Sequence, residues 1–222
     1  MSISLLLDNA DPRIWAKLFK SGLFNGITTN PTLLKVAGQP CTLSNIKELV
    51  KKAKLIGCKE LHIQAWGGNA SEIKACGVSI GSLSSPEMQV HVKIPITKSG
   101  SEAARELINA NFSVTFTACY EIKQVLIAAA IGANYIAPYL GRINDQGRNG
   151  MIELKTMQEI LQRTNSNCQI LVASLRSISE INHLASQGIK IFTINERLAQ
   201  DLFNCEETLK ASEKFEEDAS NC

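Results

Sequence analysis

The sequence predicts an α/β fold: a single (β/α)8 TIM barrel over residues 1–222, with an extra C-terminal helix at about 206–218. Three observations point there. Eight short β-branched or aliphatic runs alternate with amphipathic stretches, the signature of a parallel sheet with crossover helices. The 222 residues show no linker, low-complexity tract or composition break, and eight even units suit a barrel of roughly 200 to 400 residues. An open dinucleotide-binding sheet, the competing architecture, should carry Gly-x-Gly-x-x-Gly after its first strand. Here that strand runs into Asp8-Asn9-Ala10-Asp11 instead.

The first strand is expected at 3–7. Asp11-Pro12 then opens a helix, a capping residue before proline at the first helical position, with Ile14, Leu18 and Phe19 on one face. The second strand, 24–28, ends in Thr28-Thr29-Asn30-Pro31, and the third covers 60–65. Asn69 with Glu72 has capping-box spacing for the helix that follows, and Ser99 with Glu102 has it after a fourth strand at 88–94. The remaining strands are expected at 112–116, 134–137, 169–173 and 190–193.

Composition excludes several classes. An apolar fraction of 45% and a charged fraction of 20% describe an ordinary soluble globule, not a disordered or fibrous chain. A net charge of +2 and 5% aromatic residues give no electrostatic or stacking case for nucleic acid, nor for an anionic membrane. No apolar run reaches the roughly 20 residues of a membrane span; the nearest, 125–140, is interrupted by Gly132, Asn134 and Pro138. The N-terminus lacks basic residues before its apolar stretch, so a signal peptide is not expected and the chain reads as cytoplasmic. Its 7 cysteines are odd in number and scattered without a Cys-x-x-Cys pair, as free thiols in a reducing compartment would be. His62, His91 and His183 lie too far apart in sequence to suggest a metal cluster.

In such a barrel the chemistry sits at the carboxyl ends of the strands. Those ends carry Asp8, Thr28 to Asn30, Gln64, Lys93, Thr117, then Tyr139 with Arg142, and Ser174 with Arg176. Polar groups at so many successive strand ends point to one convergent site. Lys93 is the most informative, because a lysine inside a strand packed on both faces needs a partner or a task. Desolvation favours the neutral amine, the form that attacks a carbonyl to make a Schiff base. The bland alternative is a stem that packs while the ammonium reaches solvent. Arg142, Ser174 and Arg176 suit a phosphate monoester, or else are surface residues. Asp8 is a proton shuttle or the cap of the next helix. Tyr139 is either functional or a core phenol, and Gln64 needs amide partners if buried.

The segments Leu7-Asp8, Gly26-Ile27-Thr28-Thr29-Asn30-Pro31, Val92-Lys93-Ile94-Pro95, Ala137-Pro138-Tyr139-Leu140-Gly141-Arg142-Ile143 and Ala173-Ser174-Leu175-Arg176 occur in this order along the chain. With them the sequence resembles the transaldolase family, within it the small fructose-6-phosphate aldolase and short-transaldolase subgroup. The resemblance covers nearly the whole chain. It implies a class I aldol mechanism of carbohydrate metabolism with no metal or organic cofactor. Lys93 would form an iminium with fructose 6-phosphate, and glyceraldehyde 3-phosphate would leave with its phosphate on Arg142, Ser174 and Arg176. Asp8 and Asn30 would bind sugar hydroxyls, with Asp8 moving a proton and Thr28 supporting the same wall. The tail around Lys214-Phe215-Glu216 looks like the closing helix of the small members, which are oligomers joined through it.

The resemblance leaves two reactions open. A transaldolase passes the dihydroxyacetone enamine to erythrose 4-phosphate, giving sedoheptulose 7-phosphate in the pentose phosphate pathway. An aldolase protonates it and releases dihydroxyacetone. Gln64, Ala137 and Tyr139 follow the aldolase pattern, in which glutamine, threonine (here Thr117) and tyrosine position a relay water. Phenylalanine could not bond that water. Arg176 follows the transaldolase pattern, where aldolases can carry lysine. The balance leans to the aldolase.

Overall fold

The computed structural model describes residues 2–222. Eight parallel strands close on themselves in sequence order: β1 (Ser4–Asp8), β2 (Phe24–Thr28), β3 (Glu60–Gln64), β4 (Gln89–Pro95), β5 (Val114–Cys119), β6 (Tyr135–Pro138), β7 (Gln169–Val172) and β8 (Ile191–Ile194). The expected barrel is the observed one. Eleven α-helices occur among the described residues: α1 (Pro12–Leu18), α2 (Pro31–Val36), α3 (Leu43–Leu55), α4 (Ala70–Gly81), α5 (Lys98–Asn109), α6 (Gln124–Ile131), α7 (Leu140–Asp145), α8 (Gly150–Arg163), α9 (Ile178–Ser186), α10 (Glu196–Asp201) and α11 (Glu206–Ser220). No helix among them is long and apolar enough to cross a membrane.

The alternation of side chains along each strand sorts them into two environments. Leu7, Ile27, Ile63, Val92, Phe116 and Phe192 join the buried layer shared with the helices, which also holds Trp15 and Leu107. The other face looks into the lumen, where a small apolar group of Leu6, Ala137, Leu171 and Ile191 sits beside Tyr135. The rest of the lumen is unusually polar: His62, His91, Lys93, Thr28, Thr115, Thr117 and Thr193 are all buried.

Helix starts follow local chemistry. Asp11 caps α1 by accepting the Arg13 amide at 2.9 Å, as expected, and Asn69 accepts the Glu72 amide at 3.0 Å to cap α4. Ser99 does not begin α5. Thr97 does, accepting the Gly100 amide at 3.0 Å and leaving Ser99 inside the helix. Thr97 is well placed because Ile96, just before it, is still tied to β5 through the Thr117 carbonyl. A full capping box forms at α9, where Ser177 and Glu180 satisfy each other's amides. The fifth strand starts at Val114, two residues later than expected, since Phe112 packs its ring against Gly81 of α4 while Asn111 turns the chain at φ 63°. A Cβ on Gly81 would stand 2.5 Å from that ring.

Candidate active site

Lys93 lies on β4, 4% exposed, and its ammonium or amine Nζ donates to the Thr29 carbonyl at 2.9 Å. Burial pushes its pKa down, with the Asp8 carboxylate pulling the other way. No carboxylate contacts Nζ directly among the described residues, so the desolvation of a charged amine is left without an ion partner. The snorkelling alternative does not hold: this side chain ends inside the barrel.

Asp8 closes β1 and accepts a hydrogen bond from Thr28 Oγ1 at 2.6 Å. Thr28 Oγ1 also lies 2.6 Å from Thr193 Oγ1 on β8. A hydroxyl has one proton, and Thr28 spends it on Asp8, so Thr193 is the donor in the second bond. Asp8 therefore heads a relay across three strands and is not the helix cap; Asp11 fills that position. The Asp8 charge favours the protonated forms of Lys93, Tyr139 and Arg142, against the stronger desolvation in the case of Lys93.

On the other wall, Thr117 Oγ1 and the Tyr139 hydroxyl are 2.9 Å apart. Burial pushes the Tyr139 phenol up, which keeps it protonated and able to donate. Ala118, between Thr117 and Cys119, takes φ 56° where β5 and β6 lose register, and Ser174 takes φ 60° just past β7. Both are left-handed conformations in residues other than glycine, strain that gathers at the same end of the barrel as Lys93.

Gln64 faces Lys93 by strand register, half-buried and with no hydrogen bond among the described residues. Asn30 accepts the Leu33 amide at 2.9 Å as the cap of α2, which commits its oxygen and leaves its amide protons available. The β6 and β7 loops are tied by the Gly141 amide on the Ser174 carbonyl, at 2.9 Å. Only glycine permits this approach, because a Cβ at Gly141 would stand 2.4 Å from that oxygen. The contact brings the loops of Arg142 and Arg176 together. Arg142 lies over the Tyr139 ring, 4.8 Å from its centre, and donates to the Tyr120 hydroxyl at 3.1 Å. The exposed Arg176 guanidinium pairs with Asp145 of α7. Both arginines are thus at the mouth, each held by a neighbour.

Sequence reasoning did not single out Thr193, Tyr120 or Asp145. Thr193 carried a usable signal, as a polar residue near the end of β8 between Phe192 and Ile194. Tyr120 and Asp145 carried none; their places depend on how two loops fold.

A barrel with a buried lysine at the mouth of its fourth strand, beside an acid and a threonine–tyrosine pair, has the groups that covalent chemistry on a carbonyl would need. Comparison with known proteins places the chain more closely. The Transaldolase/Fructose-6-phosphate aldolase family matches residues 5–221, and the chain belongs to that family. It is 31% identical over 218 residues to a "Probable transaldolase" from a Caulobacter species, covering 97% of this chain and 96% of that one. It is 30% identical over 216 residues to "Probable transaldolase 2" of Listeria monocytogenes, covering 97% and 95%. Among solved structures, a flavocytochrome b2 mutant with pyruvate bound superposes with a TM-score of 0.60 at 11% identity, over 87% of this chain and 56% of that one. That likeness concerns the barrel fold alone.

Proposed function

We propose that the protein is a Schiff-base enzyme acting on fructose 6-phosphate, with Lys93 as nucleophile. One observation carries this reading: a buried amine held by a backbone carbonyl, within reach of the Asp8 charge. The neutral amine adds to the ketone, and the resulting carbinolamine takes up one proton from solvent as water leaves, giving an iminium. Asp8 takes the proton of the hydroxyl on the fourth carbon, and the bond between the third and fourth carbons breaks with its electron pair drawn into the iminium. Glyceraldehyde 3-phosphate departs and a dihydroxyacetone enamine stays on Lys93. Thr28 and Thr193 fix the Asp8 carboxylate, and the Asn30 amide protons face sugar hydroxyls. Arg142, Ser174 and Arg176 take the phosphate, which must displace Asp145 from Arg176.

The Thr117–Tyr139 pair favours protonation of the enamine, and so the aldolase. With Gln64 unbonded beside Lys93, it makes a three-point seat for a water that delivers the proton. The transaldolase reading, transfer to erythrose 4-phosphate, is favoured by Arg176, whose planar fork suits a phosphorylated acceptor better than a lysine would. One assay separates them. Fructose 6-phosphate is supplied with and without erythrose 4-phosphate, and free dihydroxyacetone is measured against sedoheptulose 7-phosphate. Dihydroxyacetone without acceptor supports the aldolase, product only with acceptor supports the transaldolase, and no turnover in either case rejects both.

We also propose a homo-oligomer joined through α11, which buries no residue of its own and exposes Leu209 and Phe215. Molar mass by light scattering, before and after Phe215→Glu, tests it. A monomer before substitution contradicts it.

A further inference from the structure

At the other end of the lumen, below Lys93, Glu60, His62 and His91 converge. Glu60 and His62 are two residues apart on β3 and share its inner face, and His91 is the register partner of His62 on β4. One ligating atom from each lies within 4.8 Å of the other two. His62 Nε2 is 3.3 Å and His91 Nε2 3.6 Å from the same Glu60 oxygen, Oε2. Donor atoms held about 2.0–2.1 Å from a tetrahedral ion are spaced by about 3.4 Å, so Glu60 Oε2 already stands at coordinating spacing from each imidazole, and the third edge of the triangle is within 4.8 Å.

Residues outside this trio orient two of its members. The Asn25 amide donates to Glu60 Oε1 at 2.8 Å, and the Tyr135 hydroxyl donates to Glu60 Oε2 at 3.2 Å. His62 Nδ1 bonds Thr115 Oγ1 at 2.9 Å, which leaves Nε2 toward the cluster. Such outer contacts are what fix the tautomer and angle of metal-bound histidine. His91 is the independent observation. Its side chain is 8% exposed, Nδ1 is buried with no hydrogen-bond partner, and Nε2 lies beyond hydrogen-bond distance of Glu60. A Glu–His hydrogen bond explains His62 but does nothing for His91. A buried imidazole without a single bond is costly unless something else engages it. The two rings stack at 4.4 Å, so His91 must turn about its outer torsion to aim at an ion held by His62. It has no hydrogen bond to break in doing so. A cavity of about 390 Å³ at the amino end of the barrel, lined by Ser4, Asn25, Glu60, Tyr135 and Lys190 among others, gives an ion access to the carboxylate.

We propose that the base of the barrel is a binding site for one first-row transition-metal dication, zinc best matching two imidazoles and a carboxylate, held by Glu60, His62 and His91. Of the three ligands, Glu60 is the one that lines the basal cavity. This site is separate from the one at the strand mouth and stands whether or not Lys93 forms a Schiff base. It joins β3 to β4 directly beneath Gln64 and Lys93.

The test uses the full chain, stripped with a chelator and titrated with Zn²⁺ against a chromophoric competitor, then with Co²⁺. One equivalent of Zn²⁺ should bind, weakened at least about 100-fold by Glu60→Gln and by His91→Gln, since even second-layer changes cost 10- to 100-fold. Bound Co²⁺ should show visible d–d bands without thiolate charge-transfer absorption. Replacing the exposed Cys41, Cys205 and Cys222 by serine should change neither result. Nitrogen-15 NMR of the histidine rings reads the same question with no substitution in the cluster: Zn²⁺ should shift the resonances of His62 and His91 but not His183. Failure to bind, binding lost with the exposed cysteines, or ring signals unmoved by one equivalent of Zn²⁺ would each overturn the proposal.

Discussion

The two ends of the barrel lumen are built from the same strands and differ in what their polar groups touch. At the mouth, Lys93 bonds only a backbone carbonyl, Gln64 bonds nothing among the described residues, and two arginines lean on the neighbours Tyr120 and Asp145. At the base, Glu60 is gripped by Asn25, Tyr135 and His62 at once. Along β4 the two layers are a single step apart, His91 and Lys93 standing two residues, or about 7 Å, from each other. Burial holds the Lys93 amine and both imidazoles below their ordinary pKa values. The mouth therefore has hydrogen-bonding capacity to offer a substrate, while at the base Glu60 and His62 are committed within the protein and His91 is left unbonded.

That contrast can be broken from either side. The largest effect is expected from Lys93→Met, which should lower turnover of fructose 6-phosphate by about 10⁴-fold or more, as loss of a covalent nucleophile does. Circular dichroism should show the barrel intact. At the base, Glu60→Ala leaves the Tyr135 hydroxyl and His62 with a lost partner in a buried setting, costing about 3 kcal/mol. For a chain of this size that lowers Tm by roughly 10 °C in a calorimetric scan; an unchanged Tm would mean that the base is not a tightly bound network.

Smaller changes sharpen the comparison at the mouth. Tyr139→Phe should slow release of free dihydroxyacetone about 10-fold or more while sparing transfer to an added aldehyde. Equal loss of both reactions would count against the relay. Asp145→Asn frees the Arg176 guanidinium and should lower KM for phosphorylated substrates a few-fold, with no effect on their unphosphorylated counterparts. Last, mass spectrometry after brief iodoacetamide treatment should find label on the exposed Cys41, Cys205 and Cys222. Cys58 and Cys168 should stay unlabelled, because burial pushes their thiols up to about 12.

The mouth was legible in the sequence because its residues sit where strands stop, and strand ends show as a polar residue after an apolar run. Asp8 and Thr117 show that way, and Lys93 shows as a charged residue inside an apolar strand. The base was not. Its members belong to strand beginnings, and only the pairing of β3 with β4 in one register puts His62 beside His91, although sequence distance argued against any cluster. The Thr97 cap and the late start of β5 were hidden for a related reason: the tie of Ile96 to Thr117 and the seat of Phe112 on Gly81 are tertiary contacts. The partner of Arg176 depended on loop geometry that no motif encodes.

Sodium borohydride reduction in the presence of fructose 6-phosphate, followed by peptide mass spectrometry, puts the central claim to the most direct test. The account predicts a reduced dihydroxyacetone or hexose phosphate adduct on the peptide containing Lys93, absent when borohydride or sugar is omitted. Turnover without an adduct there, or an adduct on a different lysine, would contradict it.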